Sequence, residues 1–336
     1  MRIIVDAMGG DNAPLAIVKG ALRGQKRWGV DITLTGDEAA IRAAMAQCGV
    51  STLPEGITIV PTAEEVTMED DPATVFRRKK DTSMGVGLTL LRDGAGDAMI
   101  SAGSTGALLT GATLITKRVR GIRRAAMAPV MPTTTGRCVL IDCGANAECT
   151  PEYLVQFAYL GSFYAKHVLG IREPRVGLLN IGVEAEKGTE LQRQTRELLL
   201  RQPALNFIGN IEAKETVKGG CDVLVTDGFS GNVMLKTIEG VGSFAGSALK
   251  GIFQKNLLTK LAAAMVLPGL NAFKAQLDPN KVGGTAFLGI SKPVIKAHGS
   301  SNDEAIENAI GQAKEVAESG LTEEIAAHVA EMTAQV

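Results

Sequence analysis

Aromatic side chains make up only 4% of the 336 residues, so the core of this protein has to be built from aliphatic and methionine side chains. Basic charge is not in surplus, because 35 Lys and Arg residues stand against 36 Asp and Glu residues. A protein that binds nucleic acid through bulk charge needs a basic surplus, so this class is disfavoured and no nucleic-acid partner is expected.

Disulfide bonds and membrane spans are not expected either. The five cysteines, at positions 48, 138, 143, 149 and 221, are odd in number and lack CxxC spacing, which indicates reduced thiols in a cytoplasmic protein. The opening MRIIVDAMGG predicts a strand rather than a signal peptide. No run reaches the roughly 18 apolar residues of a membrane helix, so we expect a soluble chain that at most lies on a membrane surface.

Several catalytic signatures are missing. No GxGxxG follows a strand, no GxxxxGK[ST] occurs, and no GxSxG elbow is present. The three histidines (167, 298 and 328) and the cysteines show no metal-ligand spacing. We therefore predict an enzyme that works without a bound cofactor, a metal or a covalent serine.

One pattern recurs along the chain: a short apolar run ends in a small polar residue and glycine. It appears as RIIVDAMGG, DITLTGD, GITIVPT, DAMISAGSTG, CVLIDCGAN, RVGLLNIG, DVLVTDGFSG and PVIKAHGSS. Runs that are apolar throughout favour strands buried on both faces of a mainly parallel sheet. Helical spacing between them predicts a doubly wound α/β fold with three layers, α/β/α, over a single domain (1–336), either one body or two lobes with the site between them.

Two of the helices have predicted boundaries. After GGDNAP, apolar residues recur at helical spacing, with Asp11 or Asn12 as the cap and Pro14 in the first turn. After HGSSN, a second helix is predicted with Asn302 or Asp303 as its cap and Gly320 as its stop.

Polar residues follow the predicted strands at their carboxyl ends, where ligands bind in doubly wound sheets. They are Asp6, Ser101, Asp142, Asn180, Asp227 and His298. Such residues also make ordinary turns and caps, but their number favours one shared polar site. The loops SAGSTGA (101–107), HGSSN (298–302) and DGFSGN (227–232) are rich in hydrogen-bond donors, which suits an anion, although each could equally be a capped helix start without a ligand.

The motifs VDAMGGDNAP, SAGSTGA, DCGAN, NIGVEAEKG, DGFSGNVMLK and GGTAFLG followed by HGSS occur in this order over residues 3 to 311. In this they resemble the PlsX family of bacterial phosphate acyltransferases. The resemblance implies a reaction of acyl-[acyl-carrier protein] with inorganic phosphate that gives acyl phosphate for phospholipid synthesis. It also implies a fold like that of isocitrate and isopropylmalate dehydrogenases, a homodimer, loose membrane association, and delivery of the product to a membrane glycerol-3-phosphate acyltransferase.

Two stretches depart from the family pattern. Ser104 stands where the family usually has Asn. Because serine lacks the side-chain amide of asparagine, an essential role for that amide at this position is in doubt. GNIEAKE (209–215) differs from the usual stretch, so only Gly209 and Asn210 are carried over.

Phosphate can attack a thioester directly, so the protein has to position it, stabilise the oxyanion and release a thiolate. Lys187 is a candidate cation for the phosphate. His298 is a candidate proton donor to the leaving sulfur or a candidate phosphate ligand, although it could equally be a partner of the helix cap. The candidate donors to the oxyanion are the backbone amides of Gly9, Gly10, Gly228 or Gly231. Asp6, Asp11 and Asp142 are expected to orient loops. The predicted catalytic residues are His298, Lys187, Asp6 and Asn232. The predicted substrate-binding residues are Gly9, Gly10, Ser101, Gly103, Ser104, Thr105, Gly106, Asn146, Gly228, Ser230, Gly231, Gly299, Ser300 and Ser301.

Two basic clusters are candidates for docking an acidic carrier protein, RRKK (77–80) and KRVRGIRR (117–124), and either could be an ordinary solvated face. The second is preferred, with Arg118, Arg120, Arg123 and Arg124, because it follows the SAGSTGA loop and its helix. The apolar stretch 249–278 predicts a surface element for a membrane or a dimer partner, or else a buried helix.

Three other functions fit parts of the sequence: a metal- and nicotinamide-dependent hydroxyacid dehydrogenase, a phosphotransacetylase that uses acyl-coenzyme A, and a non-catalytic membrane scaffold for lipid enzymes. The dehydrogenase explains the strand-end aspartates but not the donor-rich loops. Formation of acyl phosphate from acyl carrier protein, but not from acyl-coenzyme A, would separate the alternatives.

Overall fold

Two β-sheets with flanking helices make up the computed structural model, which describes residues 1–277 and 283–333. The first sheet contains β1 (Arg2–Asp6), β2 (Asp31–Gly36), β3 (Ile57–Pro61), β4 (Ala98–Ser101), β5 (Ala126–Ala128), β11 (Thr285–Leu288) and β12 (Val294–Lys296). Its strand order is β3-β2-β1-β4-β12-β11-β5, and its first five strands in this order are parallel. The second sheet contains β6 (Val130–Thr133), β7 (Gly136–Ile141), β8 (Arg175–Leu179), β9 (Asn206–Ile211) and β10 (Val223–Val225), in the order β6-β7-β10-β8-β9.

The helices connect these strands. They are α1 (Leu15–Trp28), α2 (Glu38–Gln47), α3 (Val75–Arg78), α4 (Ser83–Arg92), α5 (Thr105–Gly111), α6 (Pro151–His167), α7 (Glu190–Leu200), α8 (Ala213–Val217), α9 (Gly228–Phe253), α10 (Leu257–Leu277), α11 (Asp303–Glu318), α12 (Leu321–Ala327) and α13 (Val329–Thr333). A π-helical segment, Ala112–Thr116, continues α5.

Both faces of each sheet are covered by helices, which gives the three layers. On β1, Ile3 and Val5 belong to a core with side chains of α1 and α11, whereas Ile4 faces α4. On the second sheet, Val223 packs with residues of α6, and Leu224 packs on the other face with Met234 of α9. This alternation explains why the parallel strands read as continuous apolar runs.

The chain crosses from one sheet to the other between β5 and β6. Ala286 of β11 pairs with both Ala128 and Ile295, so the end of β5 lies at the same edge as Lys296, the last residue of β12. β6 then runs antiparallel to β7, which returns so that Asp142 meets Met127 of β5. The carboxyl ends of the parallel strands in both sheets therefore point towards this crossing.

The doubly wound α/β class predicted from the sequence is confirmed, and all eight recurring segments contain strands. The sequence pattern did not indicate β5, β6, β9 and β11. Three of these are short antiparallel strands, and β9 is an edge strand whose first four residues alternate between exposed and half-buried. The predicted cap of α1 is wrong, because Pro14 occupies the N-cap position with no side-chain cap. The predicted cap Asn302 is confirmed, since its side chain accepts the Ala305 N–H of α11.

The stretch 249–278 forms two helices, because α9 ends at Phe253 and α10 begins at Leu257. Residue 278 lies outside the described residues. Leu258, Leu261 and Met265 are exposed, so the alternative of a buried helix is wrong for these side chains. Within the described residues, none of the helices is both long and apolar enough to cross a membrane.

Candidate active site

Three loops meet at the carboxyl edge of the first sheet, and we call them the first loop cluster (residues 6–12, 101–106 and 296–301). The Ser101 hydroxyl donates to Asp6 Oδ2 at 2.6 Å, and the Gly103 N–H donates to Ser101 Oγ at 3.1 Å. Asp6 is fully buried, and this burial raises its pKa, while the hydrogen bonds from Ser101 and neighbouring groups oppose the rise. Asp6 thus holds the first loop against the second.

The glycines of the first loop allow its backbone to approach the other two loops. A Cβ on Gly9 would lie 2.7 Å from the Gly103 nitrogen, and Gly10 has a φ of +104°, which favours glycine. The Asp11 N–H donates to the Gly299 carbonyl at 2.8 Å, and the Asn12 amide donates to the carbonyls of Ser300 and Ser301. Asn12 therefore joins two loops instead of capping α1.

His298 has one ring nitrogen fixed by its own loop. The Ser300 N–H, which can only donate, points at His298 Nδ1 at 3.2 Å, and Ser300 Oγ lies 2.8 Å from the same atom. Nδ1 therefore accepts, and the neutral ring carries its hydrogen on Nε2. His298 is exposed, so this Nε2–H group can reach a ligand.

Two hydroxyls near the helix starts behave differently. Ser104 Oγ accepts the Ala107 N–H at 3.4 Å and so caps α5. Ser301 is almost completely buried, and its Oγ has no hydrogen-bond partner among the described residues. Thr105 and Gly106 follow Ser104 into the first turn of α5, where a Cβ on Gly106 would meet Pro72 at 3.0 Å.

Sequence reasoning missed one residue of this cluster, Lys296. It is the buried last residue of β12, paired with Ser101 of β4, and its Nζ donates to the carbonyls of Ala102 (3.2 Å) and Ala297. Burial lowers the pKa of Lys296 to about 8, although the charges of Asp6 and Asp11 act in the opposite direction. A lysine inside the apolar run PVIK was the signal available in the sequence.

A second loop cluster lies at the carboxyl edge of the second sheet (residues 142–149, 180–188 and 227–232). Its centre is Asp142, which is buried and accepts the N–H groups of Met127, Cys143 and Asn146 at 2.6–2.8 Å, with a longer bond from Ala145. Burial raises the pKa of Asp142, and these hydrogen bonds oppose the rise. Asp142 therefore organises its loop, as the sequence predicts.

Several predicted ligands in the second loop cluster already have protein partners. The Asn146 side chain donates to the Ala125 carbonyl and to Asp142. The N–H groups of Gly228 and Gly231 donate to the carbonyls of Asn146 and Asp227, so neither amide is available to an oxyanion. Of the four candidate amides, that of Gly9 points at Asp6, and that of Gly10 alone lacks a partner within the described residues.

The other predicted residues of this cluster are more exposed. Asp227 caps α9 by accepting the Ser230 N–H at 2.8 Å, and Asn232 is exposed beside Gly144. Lys187 is exposed as well, in a loop whose backbone is held by Asn180, which donates to the Lys187 carbonyl at 3.1 Å. Lys187 therefore belongs to the second loop cluster, not to the loops around Ser101 and His298.

The thiols near the second loop cluster are poor nucleophiles. Burial raises the pKa of Cys143 and of Cys149 to about 12, which keeps both protonated near neutral pH. No group of three or more His, Cys, Asp or Glu side chains within residues 1–277 and 283–333 is arranged to hold a metal ion.

The four arginines that the sequence suggests for docking precede β5. Arg120, Arg123 and Arg124 are exposed, and the Arg124 guanidinium stacks 5.6 Å from the Tyr153 ring. The backbone of Arg118 forms an isolated antiparallel β-bridge with Ile290. Ile290 lies at the edge of the first sheet opposite to the edge that carries Lys296. The segment adjoins the second loop cluster, because Asn146 binds the carbonyl of Ala125.

The fold is shared with enzymes of known structure. A phosphotransacetylase from Streptococcus pyogenes superposes with a TM-score of 0.66 at 18% identity over 94% of both chains. A 4-hydroxythreonine-4-phosphate dehydrogenase from Klebsiella pneumoniae gives 0.55 at 14% identity over 94% of this chain and 99% of its own. At these identities the likeness shows the fold alone: the protein is a doubly wound α/β chain of the class that includes both.

The chain belongs to the family described as "Fatty acid synthesis protein", whose model matches residues 1–324. A phosphate acyltransferase from Alkaliphilus oremlandii is 46% identical over 332 residues, covering 99% of this chain and 98% of the relative. One from Brevibacillus brevis is 47% identical over 327 residues, covering 97% and 96%. The resemblance to the PlsX family is confirmed.

Proposed function

We propose that this protein transfers the acyl group of acyl-[acyl-carrier protein] to inorganic phosphate, giving acyl phosphate and free carrier protein for phospholipid synthesis. The observation that supports this most strongly is the identity of about 46%, over nearly the whole chain, to proteins named phosphate acyltransferase. The reaction needs no cofactor, because phosphate itself is the nucleophile.

The first loop cluster is the proposed phosphate subsite. The unpartnered Ser301 hydroxyl lies just before α11, where the helix dipole favours an anion, and SAGSTG lies across from it. A phosphate oxygen held there would attack the thioester carbonyl carbon, and the new C–O bond would form as charge develops on the carbonyl oxygen. The free amide of Gly10 is the candidate donor to that oxyanion, a contribution of roughly 3 kcal/mol for one donor in measured enzymes.

His298 is proposed to donate a hydrogen bond from its Nε2–H group to the leaving sulfur or to the phosphate, because Nδ1 accepts the Ser300 N–H and Nε2 is directed outward. When the tetrahedral intermediate breaks its C–S bond, the electron pair stays on sulfur. The thiolate takes up the proton that hydrogen phosphate brought to the reaction, and it leaves as the thiol of the carrier.

We place the reaction between the two sheets, in effect between two lobes. The carboxyl ends of the parallel strands of both sheets point towards the β5–β6 crossing, which supports this placement. Asp6 and Asp142 then orient the two loop clusters, and Lys187, Ser230 and Asn232 line the side that belongs to the second sheet.

The carrier protein is proposed to dock on Arg118, Arg120, Arg123 and Arg124. Charge complementarity supports this surface, because the chain has no Asp or Glu between Ala98 and Ile141. The alternative RRKK cluster has acidic residues close to it in the sequence, which reduce its net positive charge. Within residues 62–82 they are Glu64, Glu65, Glu69, Asp70, Asp71 and Asp81.

The pair of helices α9 and α10 is proposed to contact the membrane surface or the partner of a homodimer, with the protein otherwise in the cytoplasm. Its apolar side chains are exposed along both helices, which supports an apolar partner (Val241, Phe244, Ile252, Leu258, Leu261 and Met265). A position at the membrane would bring the product close to a glycerol-3-phosphate acyltransferase.

A single assay tests the reaction. The purified protein is incubated with phosphate and either acyl carrier protein or coenzyme A bearing the same acyl group, and acyl phosphate is trapped with hydroxylamine. We expect product from the carrier protein only. Product from acyl-coenzyme A alone would indicate a phosphotransacetylase, the alternative that shares this chemistry, and no product from either would indicate a scaffold.

The catalytic assignment is tested with His298→Ala and Lys187→Ala. Loss of one hydrogen-bond donor to the charge that develops in the transition state costs about 10²–10³-fold in turnover in measured enzymes, so His298→Ala should lower kcat by at least tenfold. Lys187→Ala should raise the substrate KM by a larger factor than it lowers kcat. Normal turnover and normal phosphate affinity in both variants would contradict the assignment.

Arg120→Glu combined with Arg123→Glu tests the docking surface. The KM for the acyl carrier protein should rise, because two of the four positive charges of the patch become negative, while the KM for phosphate should stay unchanged. An unchanged KM for the carrier would exclude this surface.

A further inference from the structure

We propose that Lys296 supplies the buried positive charge of the phosphate subsite and holds the two loops that surround it. This inference rests on the proposed function and names a residue of the same site that the family motifs did not lead us to assign. Its ammonium group lies at the first loop cluster, whereas Lys187, the cation predicted from the sequence, is exposed at the second.

The burial of Lys296 is unusual within this protein. Among the described lysines and arginines it alone is buried, and none of the carboxylates in the described part of the chain is within salt-bridge distance of its Nζ. A buried charge without a close counter-ion is costly to keep. An anionic substrate would supply the missing counter-charge.

The contacts of Nζ place the charge between two loops. Two of its three N–H bonds point at the carbonyls of Ala102, in SAGSTGA, and Ala297, at the start of AHGSS. The third has no acceptor within residues 1–277 and 283–333, so it is left for a ligand. Because a trans peptide directs its N–H away from its C=O, fixing the Ala297 carbonyl also fixes the direction of the His298 N–H.

The charged surroundings of Lys296 are limited. From the first loop it faces Asp6 and Asp11, and on its own segment His298 follows two residues later. The neighbouring strands contribute Ser101 and Thr285 at the same level, and neither titrates. With its pKa lowered to about 8, Lys296 loses its charge over mildly alkaline pH, where inorganic phosphate is already the dianion.

The test compares Lys296→Met and Lys296→Arg with the wild type between pH 6.5 and 9.5. For the wild type, the KM for phosphate should rise above about pH 8, approaching tenfold for each further pH unit, as Lys296 deprotonates. Lys296→Arg keeps its charge and should lack this rise. Lys296→Met should raise the KM for phosphate at least tenfold at pH 7 and leave the KM for the carrier protein within twofold.

Lys292→Met is the matched control, because Lys292 is exposed just before β12, at the opposite edge of the sheet, and should behave as wild type. A phosphate KM within threefold of wild type in Lys296→Met would overturn the proposal. If that variant does not fold, an alkaline rise retained in Lys296→Arg would overturn it equally.

Failure of the proposed function itself would be recognised separately, because the wild type would then form no acyl phosphate. In that case calorimetric titration with inorganic phosphate still tests Lys296. Binding to the wild type that weakens in Lys296→Met supports the assignment, and equal binding contradicts it.

Discussion

Asp142 shows how a single carboxylate can organise the meeting point of two sheets. Its oxygens accept backbone N–H groups from its own loop and from Met127 of β5. Asparagine at position 142 would keep the shape of the side chain, but it would replace one acceptor oxygen with an NH₂ group that faces these backbone N–H donors. We expect Asp142→Asn to lower the free energy of unfolding by about 3 kcal/mol, since several buried N–H groups lose their acceptor.

Urea unfolding would measure this loss. Asp93→Asn is the control, because the Asp93 side chain is exposed and pairs with the neighbouring Arg92. Equal midpoints for Asp142→Asn and Asp93→Asn would contradict the role assigned to Asp142.

Lys296 predicts a pH dependence of stability that is independent of its role in binding. Its folded-state pKa of about 8 lies below the usual value of 10.5, so the unfolded chain binds more protons between these two values. Stability therefore rises with pH over this window. Relative to Lys296→Met, the wild type should gain about 2 kcal/mol in unfolding free energy between about pH 7.5 and 9.5.

Urea unfolding of both proteins at the two pH values would measure this gain. A difference between wild type and variant that stays constant with pH would contradict the depressed pKa.

Among the secondary-structure elements, α9 combines a tightly packed start with an open remainder. A Cβ on Gly231 would lie 2.0 Å from the Asp142 carbonyl oxygen, whereas a Cβ on Gly240 would meet nothing within 4 Å. Gly231→Ala should therefore destabilise the protein by more than about 2 kcal/mol, through strain where the helix meets its loop. Gly240→Ala should stabilise it by about 0.5–1 kcal/mol, through helix propensity.

Thermal unfolding would show both effects, and a stabilised Gly231→Ala variant would be inconsistent with the close approach of α9 to the Asp142 loop.

Some of the strands could be predicted from the sequence and others could not. Continuous apolar runs identified β1 and β10 because strands buried on both faces leave that pattern. β5 and β10 are equally short, but β5 follows an arginine-rich segment instead of a glycine-bounded run, and nothing local marks it. The position of Lys296 Nζ depends on the register between β12 and β4, which is a long-range property.

For the whole molecule, the sequence motifs identified the family and most of the loops but not their division into two clusters. The crossing from β5 to β6 decides which loops meet, and Asn12 and Asn146 take protein partners that only the assembled fold provides. Their side chains therefore belong to the framework of the site.

The exposed apolar side chains of α9 and α10 lead to the prediction at this scale. Leu258→Glu should abolish co-sedimentation with liposomes if the start of α10 enters the membrane interface, because a charge there opposes insertion. Leu200→Glu on α7 is the matched control, since Leu200 is also exposed but belongs to a helix outside this pair. Equal sedimentation of Leu258→Glu and wild type would exclude the membrane role and leave the dimer partner as the occupant.

Helix α9 also sets a distance. It starts at Gly228, beside the Asp142 loop, and continues without interruption for 26 residues to Phe253, four residues before α10 begins. At 1.5 Å per residue this is about 39 Å. In the proposed arrangement, a surface that binds the residues around the end of α9 would hold the second loop cluster at a distance of this order, which leaves room beside the helix for a small carrier protein to deliver its thioester.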